Sequence, residues 1–103
     1  MALKYQVQGI EAMRNFFMEQ KFKEIITPSM VENPGMETHI HPFRLKKAHQ
    51  NNDTNFYLHT SPEFEMKQVL TYCDELENIY TITYCFRDEP FSPDHRPQFL
   101  MLE

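Results

Sequence analysis

The chain has 103 residues, with Asp and Glu outnumbering Lys and Arg by 15 to 10 for a formal net charge of −5. That balance excludes a broad basic nucleic-acid surface while leaving room for a local cationic pocket. A hydrophobic fraction of 41% with 14% aromatics excludes a chain disordered by composition. The length predicts one small domain with a modest core. No apolar run reaches the length of a membrane helix and no signal peptide is visible, so the reading is a soluble, cytoplasmic chain. Cys73 and Cys85 lack CxxC spacing. They predict two buried thiols in a reducing compartment, with a disulfide the lesser alternative.

Leu3, Val7, Ile10, Met13 or Arg14, and Phe17 recur at three- and four-residue steps, with Gln6, Gln8, Glu11, Asn15 and Glu19 opposite. This predicts an amphipathic helix from about Lys4 to Gln20, in which Gly9 costs roughly 1 kcal/mol against alanine. Lys21 to Pro28 alternates and ends at proline, which predicts a strand. Met30 to Pro42 reads as irregular, with a turn at Pro34-Gly35. His39 and His41 are spaced to chelate, but no third and fourth ligands follow, so they read as loop or edge-strand histidines and no metal site is assigned. Strands are expected over Phe43–Ala48 and Phe56–Leu58, joined by a polar loop from His49 to Asn55.

Thr60-Ser61-Pro62-Glu63 carries a hydroxyl cap, a first-turn proline and a glutamate three residues on. It predicts a helix to about Tyr72, with Glu63 closing a capping box. Ile79 to Phe86 predicts a strand with Tyr80, Ile82, Tyr84 and Phe86 on one face and Thr81, Thr83 and Cys85 on the other. Two apolar runs around a proline-broken loop predict an antiparallel hairpin over Tyr84–Glu103. Such a hairpin can gather Arg87, Glu89, His95, Arg96 and Phe99 around one small volume. The set suits a nucleotide: cations for phosphates, a ring for the base, carboxylates for amines. Two helical patterns among short alternating runs predict an α+β fold, an antiparallel sheet with flanking helices. Glu103 falls within an apolar run, which predicts a truncated enzyme or a fragment.

Phe86-Arg87-Asp88-Glu89, followed after a loop by His95-Arg96-Pro97-Gln98-Phe99, resembles motif 2 of the class II aminoacyl-tRNA synthetases, spanning about 84–103. The helix–strand–proline unit over about 10–28 is similar to motif 1, which in that family forms much of a homodimer interface. Within that class motif 2 most resembles the lysyl-tRNA-synthetase branch, and Thr60-Ser61-Pro62-Glu63 with Met66-Lys67, and Phe99 with Met101-Leu102-Glu103, fit its elongation factor P ligases. Motif 1 starts almost at Met1, so the expectation is that no anticodon-binding domain precedes it. This favours the lysyl-tRNA-synthetase-like ligases that attach a lysine-type amino acid to elongation factor P. Residues 1–103 would then be a partial catalytic domain.

The resemblance implies activation of lysine or a lysine-like amino acid by ATP, with Mg2+, to an aminoacyl-adenylate for tRNA or elongation factor P. Arg87 would be the catalytic residue, contacting the α-phosphate and the substrate carboxylate. His95 and Arg96 would reach the β- and γ-phosphates, Phe99 would stack on adenine and Glu89 would accept from its amine. Glu63 would face the α-amino group, with Ser61 also substrate-binding and Glu103 on the substrate side. Two positions depart from the family: Arg96 replaces the usual asparagine and Gln98 the usual glutamate. No glycine-rich motif 3 is recognisable, since Gly9 and Gly35 are the two glycines of the chain. The expectation is therefore weak or no activity for the chain by itself. The competing reading is a non-catalytic synthetase-like binding or dimerisation module.

Overall fold

The structure, a computed structural model, describes residues 2–32, 40–49, 52–89 and 96–103. The Pro34-Gly35 turn, His39 and His95 lie outside the described residues.

The first helix, α1, spans Ala2–Glu19. Its expected apolar stripe packs only in its C-terminal half. Ile10, Met13 and Phe17 are half-buried, whereas Leu3 and Val7 are 70% and 48% exposed. The helix stops in a Schellman arrangement: Phe22 N–H donates to the Phe17 carbonyl at 2.9 Å and Lys21 N–H to the Met18 carbonyl at 3.0 Å. Lys21 takes the left-handed conformation with φ 64°. The accompanying apolar contact is Phe22 against Phe17, with ring centroids 5.2 Å apart. Lys21 and Phe22 therefore belong to the helix stop. The strand expected over Lys21–Pro28 is reduced to β1, Lys23–Glu24.

The α+β architecture holds, with the strands forming three small sheets. In the first, β1 pairs with β5 (Ile79–Tyr80). This pair is parallel, unlike the expected uniformly antiparallel sheet: Lys23 is in register with Ile79 and Glu24 with Tyr80. Phe17 stacks on Tyr80 at 4.7 Å, docking α1 on this pair. Glu24 fastens the same corner, accepting two bonds from Arg14 at 3.0 and 3.1 Å and one from the Tyr80 hydroxyl at 3.1 Å.

The second sheet is antiparallel, in the order β2 (Met30–Val31), β4 (Asn52–Leu58), β3 (Arg44–Lys47). β2 arises where an irregular segment is expected. β4 includes Asn52 to Asn55, expected as loop. Lys47 pairs with Asn52, so β4 begins inside the stretch expected as loop. Thr54 then locks the polar stretch into the hairpin by donating its hydroxyl to the Leu45 carbonyl at 2.7 Å. Cross-strand pairing has overridden weak strand propensity.

Helix α2 covers Glu63–Tyr72, with Pro62 at its N-cap position. The expected capping box does not form. The Glu63 amide instead donates to Ser61 Oγ at 3.3 Å, and the Glu63 carboxylate pairs with Lys67 at 3.0 Å. The expected strand from Ile79 to Phe86 divides at Thr81 into β5 and β6 (Ile82–Phe86). β5 turns to β1, whereas β6 forms the third sheet with β7 (Gln98–Leu102), antiparallel as expected. Thr81 and Glu103 extend that ladder with reciprocal N–H···O bonds of 3.0 Å.

The apolar core comprises Val31, Met66, Tyr80 and Cys85, and it adjoins buried Thr27, His59, Thr60, Glu65 and Thr81. Both cysteines are free. Cys85 is fully buried, but Cys73, expected buried, is half-buried at the end of α2. Among the described residues, no helix is long and apolar enough to cross a membrane.

Candidate functional site

Directly paired residues of an antiparallel ladder point to the same side. The register of β6 and β7 pairs Thr83 with Met101 and Cys85 with Phe99. Arg87 continues the ladder beyond Phe86, its N–H donating to the Pro97 carbonyl at 2.8 Å. Arg87, Phe99 and Glu103 consequently share one face, with Cys85 between them. The electrostatics agree. Burial pushes the Cys85 thiol up to about 11, Arg87 opposes the rise and Glu103 adds to it.

The half-buried Arg87 side chain lies over the Phe99 ring, with Cζ 4.9 Å from the ring centroid. Nη2 donates one long bond, 3.5 Å, to the Thr60 carbonyl. Nε is buried without a partner among the described residues, and no carboxylate among them forms an ion pair with this guanidinium. A planar group with five donors is thus held by a ring face and one weak bond. Such a group is prepared to receive an oxyanion.

The Thr60 contact brings the turn before α2 to Arg87, with Ser61 half-buried beside it. Glu63 is exposed and turned to Lys67; the structure does not bring it to Arg87. An exposed pair of this kind contributes about 0–1 kcal/mol, so a competing ammonium can displace Lys67 cheaply. Glu89 is half-buried in a tight turn closed by its N–H to the Arg87 carbonyl at 3.0 Å. Arg96 is exposed at the start of the return strand, and Glu103 is exposed at its end. His95 lies outside the described residues. The described residues contain no group of three His, Cys, Asp or Glu that could hold a metal ion.

The sequence reading missed His59. It is fully buried between β4 and α2, and its ring nitrogen Nε2 lies 2.7 Å from the Tyr84 carbonyl. Its only signal in the sequence is position, as the polar residue joining the Phe56–Leu58 run to the Thr60 turn. The Asp88 amide donates to the His41 carbonyl at 2.6 Å, so the segment after β6 is also held from the β3 side.

Known proteins align with this chain over nearly its whole length. The family model for class II tRNA synthetases (D, K and N) matches residues 1–103. An elongation factor P–(R)-β-lysine ligase homolog of Aquifex aeolicus is 32% identical over 94 residues, covering 91% of this chain and 31% of the relative. The elongation factor P–(R)-β-lysine ligase of Vibrio campbellii is 34% identical, covering 98% of this chain and 31% of the relative. The lysine–tRNA ligase of Photobacterium profundum is 36% identical over 94 residues, 91% of this chain and 18% of the relative. The chain therefore spans under a third of the length of each of these relatives.

Proposed function

The chain belongs to the class II tRNA synthetases (D, K and N), and from that premise we propose that it contributes to activating lysine or a lysine-like amino acid with ATP. In this reaction a substrate carboxylate oxygen attacks the α-phosphorus, pyrophosphate leaves, and an aminoacyl-adenylate forms. The acceptor would be tRNA or elongation factor P, as the names of the two groups of relatives suggest, and the setting the cytoplasm.

Two anions must meet, so the chain's task is to supply positive charge in fixed positions. The observation carrying this reading is Arg87: half-buried, without a carboxylate partner among the described residues, and set between Phe99 and the Thr60 turn. Its planar donors suit an α-phosphate oxygen and a substrate carboxylate together. Phe99 would present its face to adenine and Glu89 would accept from the adenine amine. Arg96 and His95 would meet the outer phosphates. Glu63 would receive the α-amine beside Ser61 in the substrate site, and Glu103 the side-chain amine of a diamino acid. Mg2+ would arrive with the phosphates.

A second reading, a non-catalytic association module, is supported by the exposed Leu3, Tyr5, Val7, Phe16 and Met18 of α1 and by exposed Ile26 and Met30. Self-association through residues 4–28 is compatible with either reading, and light scattering over a concentration series measures it. Lysine-dependent ATP–pyrophosphate exchange separates the two. We expect weak exchange that Arg87→Ala lowers by about 10²–10³-fold. Exchange indifferent to Arg87 would overturn the proposal.

A further inference from the structure

We infer that His59 is the positioning residue for Arg87: its ring holds the strand carrying Arg87 against the turn preceding α2. This rests on the site reading above and adds a residue to it.

His59 joins three segments. Its backbone N–H donates to the Ser29 carbonyl at 2.8 Å, beside β2. Its carbonyl accepts the Phe86 N–H at 3.1 Å. Its ring reaches the Tyr84 carbonyl at 2.7 Å. Any residue but proline at position 59 could make the first two bonds; only the third depends on the side chain. A carbonyl accepts and cannot donate, so Nε2 must carry the proton. In the neutral ring, Nδ1 then bears a lone pair, and it is buried without a partner among the described residues.

The positions of these bonds give them their consequence. Tyr84 is three residues before Arg87, and Phe86 is immediately before it. Thr60, whose carbonyl receives Arg87 Nη2, immediately follows His59. One residue thus fixes both the strand presenting the guanidinium and the carbonyl the guanidinium meets. The Arg87–Thr60 bond, at 3.5 Å, is too long to hold that geometry alone. The ring packs tilted against Phe86, with centroids 6.3 Å apart, so apolar contact accompanies the polar tie. Glutamine can place an amide N–H near the position of Nε2, whereas leucine supplies bulk without a donor.

The test begins with the ligand-free chain, labelled for nuclear magnetic resonance. The Phe99 ring should shift the Arg87 side-chain signals upfield, a shift that Phe99→Leu removes. His59→Gln should keep at least half of that shift, and His59→Leu should lose most of it while α1 amide signals stay in place. The wild-type ring should show a protonated Nε2. ATP titration should then give affinities within about twofold of wild type for the glutamine variant and at least fivefold weaker for the leucine variant. An unchanged Arg87 shift in His59→Leu would overturn the inference. So would loss of more than half of that shift in His59→Gln, or a ring protonated at Nδ1 alone; these last two keep the test decisive even where His59→Leu fails to fold. Failure of the wild-type chain to bind ATP would count against the functional reading, while the ligand-free shifts would still judge His59.

Discussion

The surroundings of Arg87 and those of α1 are held by opposite means. Around Arg87, carbonyls of Ser29, His41, His59, Tyr84 and Pro97 all receive hydrogen bonds that tie separate segments together. Around α1, Phe17, Phe22 and Tyr80 supply one compact ring cluster, and much of the remaining apolar surface stays exposed. Hydrogen bonds fix direction, so the first region can hold a guanidinium in place. Apolar burial is nondirectional, so the second docks a helix and leaves Leu3, Tyr5, Val7, Phe16 and Met18 exposed.

The largest expected effect breaks the ring cluster. Tyr80→Ala removes a buried ring stacked on Phe17 and the donor to Glu24. It should cost about 3–5 kcal/mol, measured by denaturant unfolding. Glu24→Ala leaves the rings and removes only the polar clamp on Arg14 and Tyr80. A loss of about 1–2 kcal/mol is expected, because the ion pair is partly solvated. Equal losses in the two variants would mean that the corner is held by charge and not by rings.

A third experiment reads the Arg87 face without touching Arg87. The Cys85 thiol is raised from its ordinary 9.0 to about 11, chiefly by burial. Between those values the unfolded chain releases a proton that the folded chain keeps. The thiol's stabilising contribution is thus complete below about pH 9 and is lost as pH rises through about 11. Burial likewise raises the Tyr80 hydroxyl, helped by its bond to Glu24, so the wild-type decline has two sources. Unfolding measured from pH 8 to 11 should fall less steeply in Cys85→Ala, and that difference isolates the thiol. Identical slopes would contradict a desolvated Cys85.

The smallest effects sharpen the account of α1. A Cβ at Gly9 meets nothing within 4 Å, so Gly9→Ala should raise stability by about 0.4–1 kcal/mol. Lys21 holds a positive φ where glycine carries no Cβ penalty, so Lys21→Gly should also stabilise, by about 1 kcal/mol or less. Thermal unfolding measures both, and destabilisation in the second would contradict the Schellman stop.

The site hairpin was legible because strand parity is strict: once Cys85 faces Phe99, Arg87 and Glu103 follow onto the same side. The turn before α2 was legible from Ser61-Pro62-Glu63, although the capping box was not realised because Glu63 turns to Lys67. Other features left no local signature. Lysine does not advertise the left-handed conformation at position 21. The polar start of β4 is a strand only because β3 pairs with it. The parallel match of β1 with β5 joins two-residue strands far apart in sequence. His59 acts through bonds to Ser29, Tyr84 and Phe86, none of which spacing reveals.

The central claim is that Arg87 is an oxyanion receptor positioned by the fold. Equilibrium binding of ATP to wild type, Arg87→Lys and Arg87→Ala tests it most directly. The account predicts at least tenfold weaker binding for the alanine variant. Arg87→Lys should fall between the two, because it keeps the charge and loses the planar fork. Equal ATP affinity in all three proteins would contradict it.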